Sequence, residues 1–368
     1  MSPEYLAPGV YVEETAFRVH SIPGVDTSAT AFVGTFGGGA VAVPERITSL
    51  ADLEAELCDG PAVPEPCYAV REYFRNGGRV AWCVPADASA GAAGLIAALD
   101  ALRSVDMGLL VIPEATEAVV HEHAAALCRD KGALLLVDPP PIVVSADDVV
   151  AWRGDPARFG AGGDQAATYF PRIAVASATG QREIGPSGAV AGVIARADAA
   201  GGPWVVPAGA GAIVAAATPR TALGEAEIEA IEAAGVNALR RLPGGETVVW
   251  GARLSDPAGE WKYVSVRRLA LFIEHSLDQG LAWAAFEPND EPLWAQVRTE
   301  TATFMDGLFR SGAFRGDRPE DAYYVRCDRT TMGQQDIDAG LLCLIVGFAP
   351  LRAAEFEVLT LRLAAGRA

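Results

Sequence analysis

Two histidines in the segment HEH, His121 and His123, are the first candidates for chemistry, because neighbouring imidazoles can hold a metal ion. The segment falls within a predicted helix. Residues two positions apart on a helix do not share a face, since surface neighbours are three or four apart. We therefore predict no metal site here. We expect His275, on a later helix, to pack in the core or at an interface.

Two glycine-rich segments, GTFGGG at residues 34–39 and the glycines at 209 and 211, are candidates for phosphate-binding loops. Neither has the GxGxxG spacing of a dinucleotide site, and neither is followed by the lysine of a P-loop. Ser187 is predicted to cap a helix, and nothing else in the sequence supports an anion there. We therefore expect turns and a helix start, with no cofactor.

Catalytic motifs are not visible either. The sequence contains no GxSxG or SxxK motif, and no acidic pair in apolar surroundings stands out. The acidic segments EPNDE and DID lack the calcium-loop pattern of an EF-hand. The six cysteines form no CxxC and are expected to be buried free thiols; they are Cys58, Cys67, Cys83, Cys128, Cys327 and Cys343. The sequence thus predicts no catalytic residues and no enzyme.

The composition sets further limits. With 368 residues and an apolar fraction of 51%, the chain is long and apolar enough for two globular domains. Its net charge of −18 argues against nucleic acid as a partner, because phosphate binding needs a basic surface. No run of about 18 apolar residues predicts a membrane span. The N-terminus lacks the regions of a signal peptide, so we expect synthesis in the cytosol.

The first half of the chain alternates short apolar strands with amphipathic helices. The segments TAFVG, VAWCV, LLVIP and LLLVD are each followed by a helical pattern. Strands that are apolar on both faces and alternate with helices indicate a mostly parallel sheet with helices on both sides. The sequence therefore predicts an outer α/β domain over residues 27–220.

The pattern changes beyond residue 220. The strand TVVWG is followed by helical patterns at residues 264–284 and 291–311, and then by the strand-like segments AYYVRCD, LLCLIVGFAP and EFEVLTLRL. Strands on either side of a helix pair suggest a separate α+β domain, which we place at residues 221–350. The predicted fold class is thus α/β plus α+β.

The two ends of the chain are predicted to be extended. Near the start, LAPGVYVEET is a strand-like segment with no matching strand nearby. Its backbone hydrogen bonds must go either to a distant part of the chain or to another chain, and both alternatives stay open at this point. We assign residues 1–26 to an N-terminal arm. Residues 351–368, which contain the last strand, are assigned to a C-terminal linking strand.

Four segments resemble the contractile tail sheath family, which forms the sheath of contractile phage tails, R-type bacteriocins and extracellular contractile injection systems. They are PGVYVEE, YFRNGGRVAWCV, residues 186–210 and residues 235–316, and the similarity runs in order over residues 8–363. The compact length is similar to that of bacteriocin and injection-system members. One departure is Pro203 before Trp204, at a turn where a non-proline residue is expected.

The resemblance implies how the arms act. In this family both arms leave their own subunit and add strands to the C-terminal domains of neighbours. On that basis the predicted linking residues are Val10, Tyr11, Val12, Glu13, Phe356, Val358, Leu359 and Leu361. The resemblance also implies that the two long helices face an inner tube, with Arg267, Arg268 and Glu274 as contacts. The alternative for the two arginines is an ordinary solvated helix face.

The function implied by the resemblance is structural. The chain would polymerise into a helical cylinder around an inner tube and contract to drive the tube through a target envelope. Baseplate and terminal cap proteins would be further partners, without insertion into a membrane. Assembly would occur in the cytoplasm, within a phage tail-like particle that can be released from the cell. The alternatives are a specialised sheath paralogue at the cap or near the baseplate, and an enzyme with a doubly wound domain.

Overall fold

The computed structural model describes residues 20–58, 63–155, 158–159, 162–351 and 357–366. Some of the predicted linking residues lie outside the described residues, namely Val10, Tyr11, Val12, Glu13 and Phe356.

The chain up to residue 249 contributes the first set of elements. The strands are β1 (Thr30–Gly34), β2 (Glu45–Ile47), β3 (Ala81–Pro85), β4 (Leu109–Val111), β5 (Leu134–Val137), β6 (Ala166–Phe170), β7 (Ile173–Ser177), β8 (Gly180–Ile184), β9 (Ile213–Val214), β10 (Thr218–Pro219), β11 (Val236–Arg241) and β12 (Thr247–Val249). The helices are α1 (Leu50–Glu56), α2 (Glu65–Arg75), α3 (Ala92–Ala101), α4 (Ala118–Lys131), α5 (Ala146–Arg153), α6 (Ser187–Gly201) and α7 (Glu225–Ala233).

Within the described residues, nine strands form one large sheet in the order β2-β3-β1-β4-β5-β6-β11-β12-β9. The strands from β3 to β11 in this order are parallel, and β2, β12 and β9 pair antiparallel at the two sides. A smaller antiparallel sheet has the order β10-β7-β8. The predicted large, mostly parallel sheet is confirmed.

Helices cover both faces of the large sheet, as the apolar strand sequences predict. Phe32 of β1 packs into a core shared with α2 and α6, whereas Ala31 and Val33 on the same strand pack into a core with α3 and α4. Helix α6 lies very close to α2. A Cβ atom on Gly188 or Gly192 would come within 2.3 or 2.4 Å of a backbone oxygen of α2, so only glycine fits at these two contacts.

The large sheet runs further along the chain than the predicted boundary at residue 220. Strand β11 pairs parallel with β6, and β12 continues the sheet antiparallel to β11. Both strands lie at residues 236–249. The sequence assigned TVVWG to the second domain because it precedes the long helices, but its partner is β11. The part of the chain that builds this sheet therefore extends to about the start of the first long helix.

The rest of the chain forms a helical layer on a three-stranded antiparallel sheet. Its helices are α8 (Val264–Gly280), α9 (Glu291–Arg310), α10 (Pro319–Ala322) and α11 (Gln334–Asp338), with a short 3-10 helix, Ala282–Phe286. Its strands are β13 (Tyr323–Arg326), β14 (Leu341–Phe348) and β15 (Glu357–Ala364), in the order β13-β14-β15. Ile273 of α8, Val297 of α9 and Leu344 of β14 share one core. Neither these nor the other described helices are long and apolar enough to cross a membrane.

Two of the cysteines depart from the prediction of free thiols. Cys58 and Cys67 form a disulfide between the end of α1 and the start of α2, with their Cα atoms 5.9 Å apart. A separation of nine residues carries no recognisable motif, so the sequence did not indicate this pairing. Cys83, Cys128 and Cys327 are buried free thiols as predicted, and Cys343 is a half-buried one.

Candidate assembly surfaces

The C-terminal sheet is the first candidate surface. Strands β14 and β15 pair over eight positions, from Leu341 with Ala364 to Phe348 with Glu357. Along β15 the side chains alternate, with Leu359, Leu361 and Leu363 facing the helices and the residues between them exposed. This alternation is what a strand with one buried face requires. The register of β15 is therefore set by the apolar core under α8 and α9.

The two outer strands of this sheet each have one side without a partner strand among the described residues. Strand β13 contributes four residues at one edge, and β15 contributes eight at the other. An edge of eight residues offers a row of backbone donors and acceptors that another strand can pair with. Val358 lies on this strand with half of its surface exposed.

The predicted linking residues Leu359 and Leu361 are placed inside their own chain. Both are more than nine-tenths buried, in the core formed by α8, α9 and β14. In the single chain the last strand thus completes its own sheet. Its addition to a neighbouring subunit stays a prediction.

Arg267 and Arg268 do not lie on an exposed face, and the prediction that they contact a tube is corrected. Their exposed fractions are 8% and 3%. The Arg267 guanidinium stacks over the Trp261 ring at 5.0 Å, and burial lowers its pKa. Helix α8 directs both arginines toward the large sheet. The alternative, that they lie on an ordinary solvated helix face, is therefore excluded as well. Glu274, one turn further along α8, is exposed, and its tube contact stays a prediction.

Arg268 instead joins the two parts of the chain. It donates to both carboxylate oxygens of Asp198 on α6, at 2.7 and 2.6 Å. It also donates to the backbone oxygen of Thr27, at 2.9 Å, and the Thr27 hydroxyl donates to Asp198 at 2.6 Å. One buried ion pair therefore ties α8, α6 and the segment before β1 together.

The two histidines first considered for metal binding are held apart by their helix. His121 is buried, and burial lowers its pKa to about 4, so the ring is neutral at pH 7. His123 is partly exposed, with its Nε2 3.1 Å from an oxygen of Asp100. Across the described residues, no group of three or more His, Cys, Asp or Glu side chains is placed to hold a metal ion.

The carboxyl end of β5 is where a doubly wound enzyme would carry its site, and here it is filled by a helix cap. Asp138 accepts hydrogen bonds from the backbone N–H and the hydroxyl of Ser187 at the start of α6. Burial raises the pKa of Asp138 to about 7, against the lowering effects of Ser187 and Arg172. Ser187 is the first residue of α6, with Pro186 at the N-cap, so the predicted Ser187 cap is replaced by Asp138. The pair stabilises the helix start.

Comparison with known proteins identifies related chains. Residues 88–254 match the family model described as the phage tail sheath protein central domain, a range that covers most of the large sheet. No curated protein sequence matches. The whole chain is similar in structure to the PVC sheath complex of an extracellular contractile injection system in its contracted state. That similarity has a TM-score of 0.78 and 26% identity, over 97% of this chain and 98% of that one.

Two structures of the anti-feeding prophage are similarly close. Its helical sheath in the contracted state has a TM-score of 0.76 and 29% identity, over 97% of this chain and 99% of that one. A chain of its baseplate has a TM-score of 0.75 and 28% identity, over 97% and 98%. The central-domain match covers most of the large sheet, and the structural matches extend over nearly the whole chain, including the C-terminal sheet. Residues 88–254 therefore match the central domain of phage tail sheath proteins, and nearly the whole chain shares the fold of the sheath proteins of contractile injection systems.

Proposed function

We propose that this protein is the sheath subunit of a contractile injection particle. It polymerises into a helical cylinder around an inner tube and contracts to drive that tube through a target envelope. The observation that carries the proposal is the similarity over 97% of the chain to sheath proteins in the contracted state. The relatives are structural proteins, and we assign no catalytic residue or cofactor.

The linkage between subunits is proposed to run through strand addition. The outer sides of β13 and β15, which pair with no other strand among the described residues, can each accept a strand, and the arm residues Val10, Tyr11, Val12 and Glu13 supply one. The eight-position ladder between β14 and β15 can also form between two chains if β15 is exchanged. About five ladder bonds at roughly 0.5–1.5 kcal/mol each hold one pair of subunits weakly. A lattice in which every arm is engaged is held far more strongly.

Contraction is proposed to be a rigid-body rearrangement of subunits whose arms stay connected. The Arg268–Asp198 ion pair supports this view, because it joins the α/β part to the C-terminal part inside one subunit. The work comes from repacked contacts between subunits, without nucleotide hydrolysis in the sheath. Glu274, on the exposed side of α8, is the proposed contact with the inner tube.

The proposed partners are further copies of this chain, the inner tube, and baseplate and terminal cap proteins. Synthesis and assembly are proposed to take place in the cytoplasm, before release as an extracellular particle. A second candidate function is a sheath paralogue near the baseplate, which is favoured by the similarity to a chain of the anti-feeding prophage baseplate. Copy number separates the two candidates, because a main sheath subunit is present in many copies per particle and a paralogue in few.

The decisive experiment is electron microscopy of the protein co-expressed with its tube protein, beside a variant lacking residues 1–15. We expect long striated hollow cylinders from the full chain and isolated subunits from the shortened one. Quantitative mass spectrometry of purified particles gives the copy number. Monodisperse subunits from both chains would contradict a sheath role, and cylinders from both would contradict linkage through the N-terminal arm.

A further inference from the structure

The C-terminal sheet has an outer face, on the side turned away from α8 and α9. Side chains alternate along each strand, so the outer side chains of β14 are Leu341, Cys343 and Ile345, and those of β15 include Val358. Leu341 and Val358 are 39% and 50% exposed, and the other two are half-buried. Strand addition at β13 or β15 would extend the sheet sideways without covering this face. The centre of the face is therefore an apolar surface that solvent reaches.

Two arginines flank this apolar centre. Arg326 of β13 lies opposite Ile345, and Arg362 of β15 lies opposite Cys343. The Arg326 guanidinium stacks over the Tyr324 ring at 5.3 Å, which orients it on the face. Both arginines are exposed, and across the described part of the chain neither forms an ion pair. The face therefore carries two positive charges beside apolar surface, in a protein whose net charge is −18.

The separation of the two arginines is set by the strand register. Their strands lie on either side of β14, and their positions differ by two residues along it. Strand spacing and rise per residue then place the Cα atoms of Arg326 and Arg362 about 12 Å apart. A partner that matches this face therefore needs carboxylates at about that spacing, with room for apolar contact between them.

Helix α7 of the α/β part carries carboxylates at a similar spacing. Its nine residues include Glu225, Glu227, Glu229 and Glu232 and no basic residue. The glutamates at 225, 229 and 232 lie on one side of the helix, because they are four and three positions apart. The first and last of these are about 10 Å apart along the helix axis. The two isoleucines of α7 are buried, so this acidic side is not the side that packs on the core.

The glutamates on this side of α7 are available to a partner. Glu225 is 74% exposed and forms one ion pair, with Arg240 at 3.0 Å. A carboxylate can accept several hydrogen bonds, so a second guanidinium can bind it. Glu229 is exposed and Glu232 is half-buried, and within the described ranges neither forms an ion pair. Helix α7 is thus an acidic surface that complements the basic outer face of the sheet.

We infer that the outer face of the C-terminal sheet binds helix α7 of a second copy of this chain. Arg326 and Arg362 pair with Glu232 and Glu225 of that copy, and Glu229 lies between them. The face and α7 are different surfaces of one chain, so the contact is heterologous and can repeat into a helical array. The inference rests on the proposed sheath function, which requires such an array. The contact also offsets the repulsion between subunits that are each strongly acidic.

Charge reversal tests the contact in the full chain co-expressed with its tube protein. We expect Arg326→Glu with Arg362→Glu to lower the yield of cylinders about tenfold or more, because two attractions become repulsions. Adding Glu225→Arg and Glu232→Arg to the same chain should restore the yield, since opposite charges face each other again. A loss of cylinders that these two changes do not restore would overturn the pairing.

The control makes the same change in net charge at another place. Arg46 and Arg79 are exposed on the α/β part, and Arg46→Glu with Arg79→Glu should leave the yield nearly unchanged. Circular dichroism of each isolated subunit checks that it folds. Normal cylinders from the chain with Arg326→Glu and Arg362→Glu would overturn the inference and leave the sheath role intact. Isolated subunits from the parent chain would overturn both.

A cross-link identifies the partner directly. Cys343 is a native free thiol on the outer face, so cylinders of Glu229→Cys treated with a short bis-maleimide should link residue 343 of one chain to residue 229 of another. Peptide mass mapping identifies the link, and Glu229→Cys with Cys343→Ser should abolish it. A link from Cys343 to the tube protein would overturn the inference in favour of the tube. A link confined to one chain, or no link, would overturn it as well.

Discussion

The Arg268 guanidinium binds both carboxylate oxygens of Asp198, at 2.7 and 2.6 Å, with only 3% and 6% of the two side chains exposed. Arg268 lies on the first long helix of the C-terminal part, and Asp198 lies on α6 of the α/β part. A bidentate pair of this kind is directional as well as strong. It therefore holds the two parts in one orientation, as the proposed rigid-body movement of the subunit requires.

We predict that Arg268→Ala lowers the free energy of unfolding of the isolated subunit by about 3–5 kcal/mol, because it leaves the Asp198 carboxylate buried without its partner. Urea unfolding followed by circular dichroism measures the change. Arg318→Ala is the control, since it removes an exposed ion pair with Asp321 and should leave the stability nearly unchanged. Equal losses in the two variants would contradict the special role of the buried pair.

The sequence placed Arg267 and Arg268 on an exposed helix face, whereas both are buried in the folded chain. A pair of arginines on an amphipathic helix is most simply assigned to solvent, and nothing in their spacing names an acidic partner 70 residues away. The partner became visible only when α8 was packed against α6. Local patterns thus predicted the helix correctly, and a long-range contact decided which way it faces.

A cross-strand cysteine pair distinguishes a retained last strand from an exchanged one. Ile345 of β14 and Thr360 of β15 are directly opposite each other on the outer face of the sheet. We predict that Ile345→Cys with Thr360→Cys forms a disulfide within one chain in the isolated subunit. In assembled cylinders the same pair should link neighbouring chains if β15 is exchanged. Denaturing gels without reductant separate the two results.

The control for this experiment shifts one cysteine along the strand. With Ile345→Cys and Val358→Cys, the two positions are diagonal to each other and neither lies opposite the native Cys343, so the yield should be clearly lower. Links within one chain in both the subunit and the cylinder would mean that β15 stays in its own sheet, which would leave the N-terminal arm as the proposed linker.

The strands of the large sheet were the most predictable part of the fold. The segments TAFVG and LLLVD are apolar on both sides, and helices between them leave a parallel arrangement as the simplest solution. The antiparallel strand β12 carries the same kind of apolar sequence, so its place next to β11 could not be derived from composition. The contact between Asp138 and Ser187 could not be predicted from the sequence either, because burial and pairing are properties of the folded chain.

The disulfide between Cys58 and Cys67 gives a prediction that depends on redox conditions. We expect Cys58→Ser with Cys67→Ser to lower the free energy of unfolding by about 2–3 kcal/mol under oxidising conditions, because the bridge closes a loop of about nine residues. In the presence of a thiol reductant the variant and the parent should unfold alike. A stability difference that survives reduction would mean that packing of the two sulfurs, and not the bridge, is responsible.

The last prediction concerns pH and Asp138. Its pKa is raised to about 7 in the folded chain by burial, whereas an unfolded aspartate has its ordinary pKa near 4. Between these two values the folded state binds more protons than the unfolded state, so this group's contribution to stability is full below about pH 4 and is lost as the pH rises to about 7. The slope from one group is at most about 1.4 kcal/mol per pH unit.

Asp138→Asn removes this ionisation while keeping an oxygen that accepts from Ser187. We expect the variant to gain stability relative to the parent as the pH rises from 4.5 to 7.5, measured by urea unfolding of the isolated subunit. His121 has the opposite effect, because its pKa is lowered to about 4 and its contribution to the free energy of unfolding grows as the pH rises. Since His121 is present in both proteins, its effect cancels when their stabilities are compared. Parallel stability curves for the two proteins would show that Asp138 ionises in the folded chain at the pH of an ordinary aspartate.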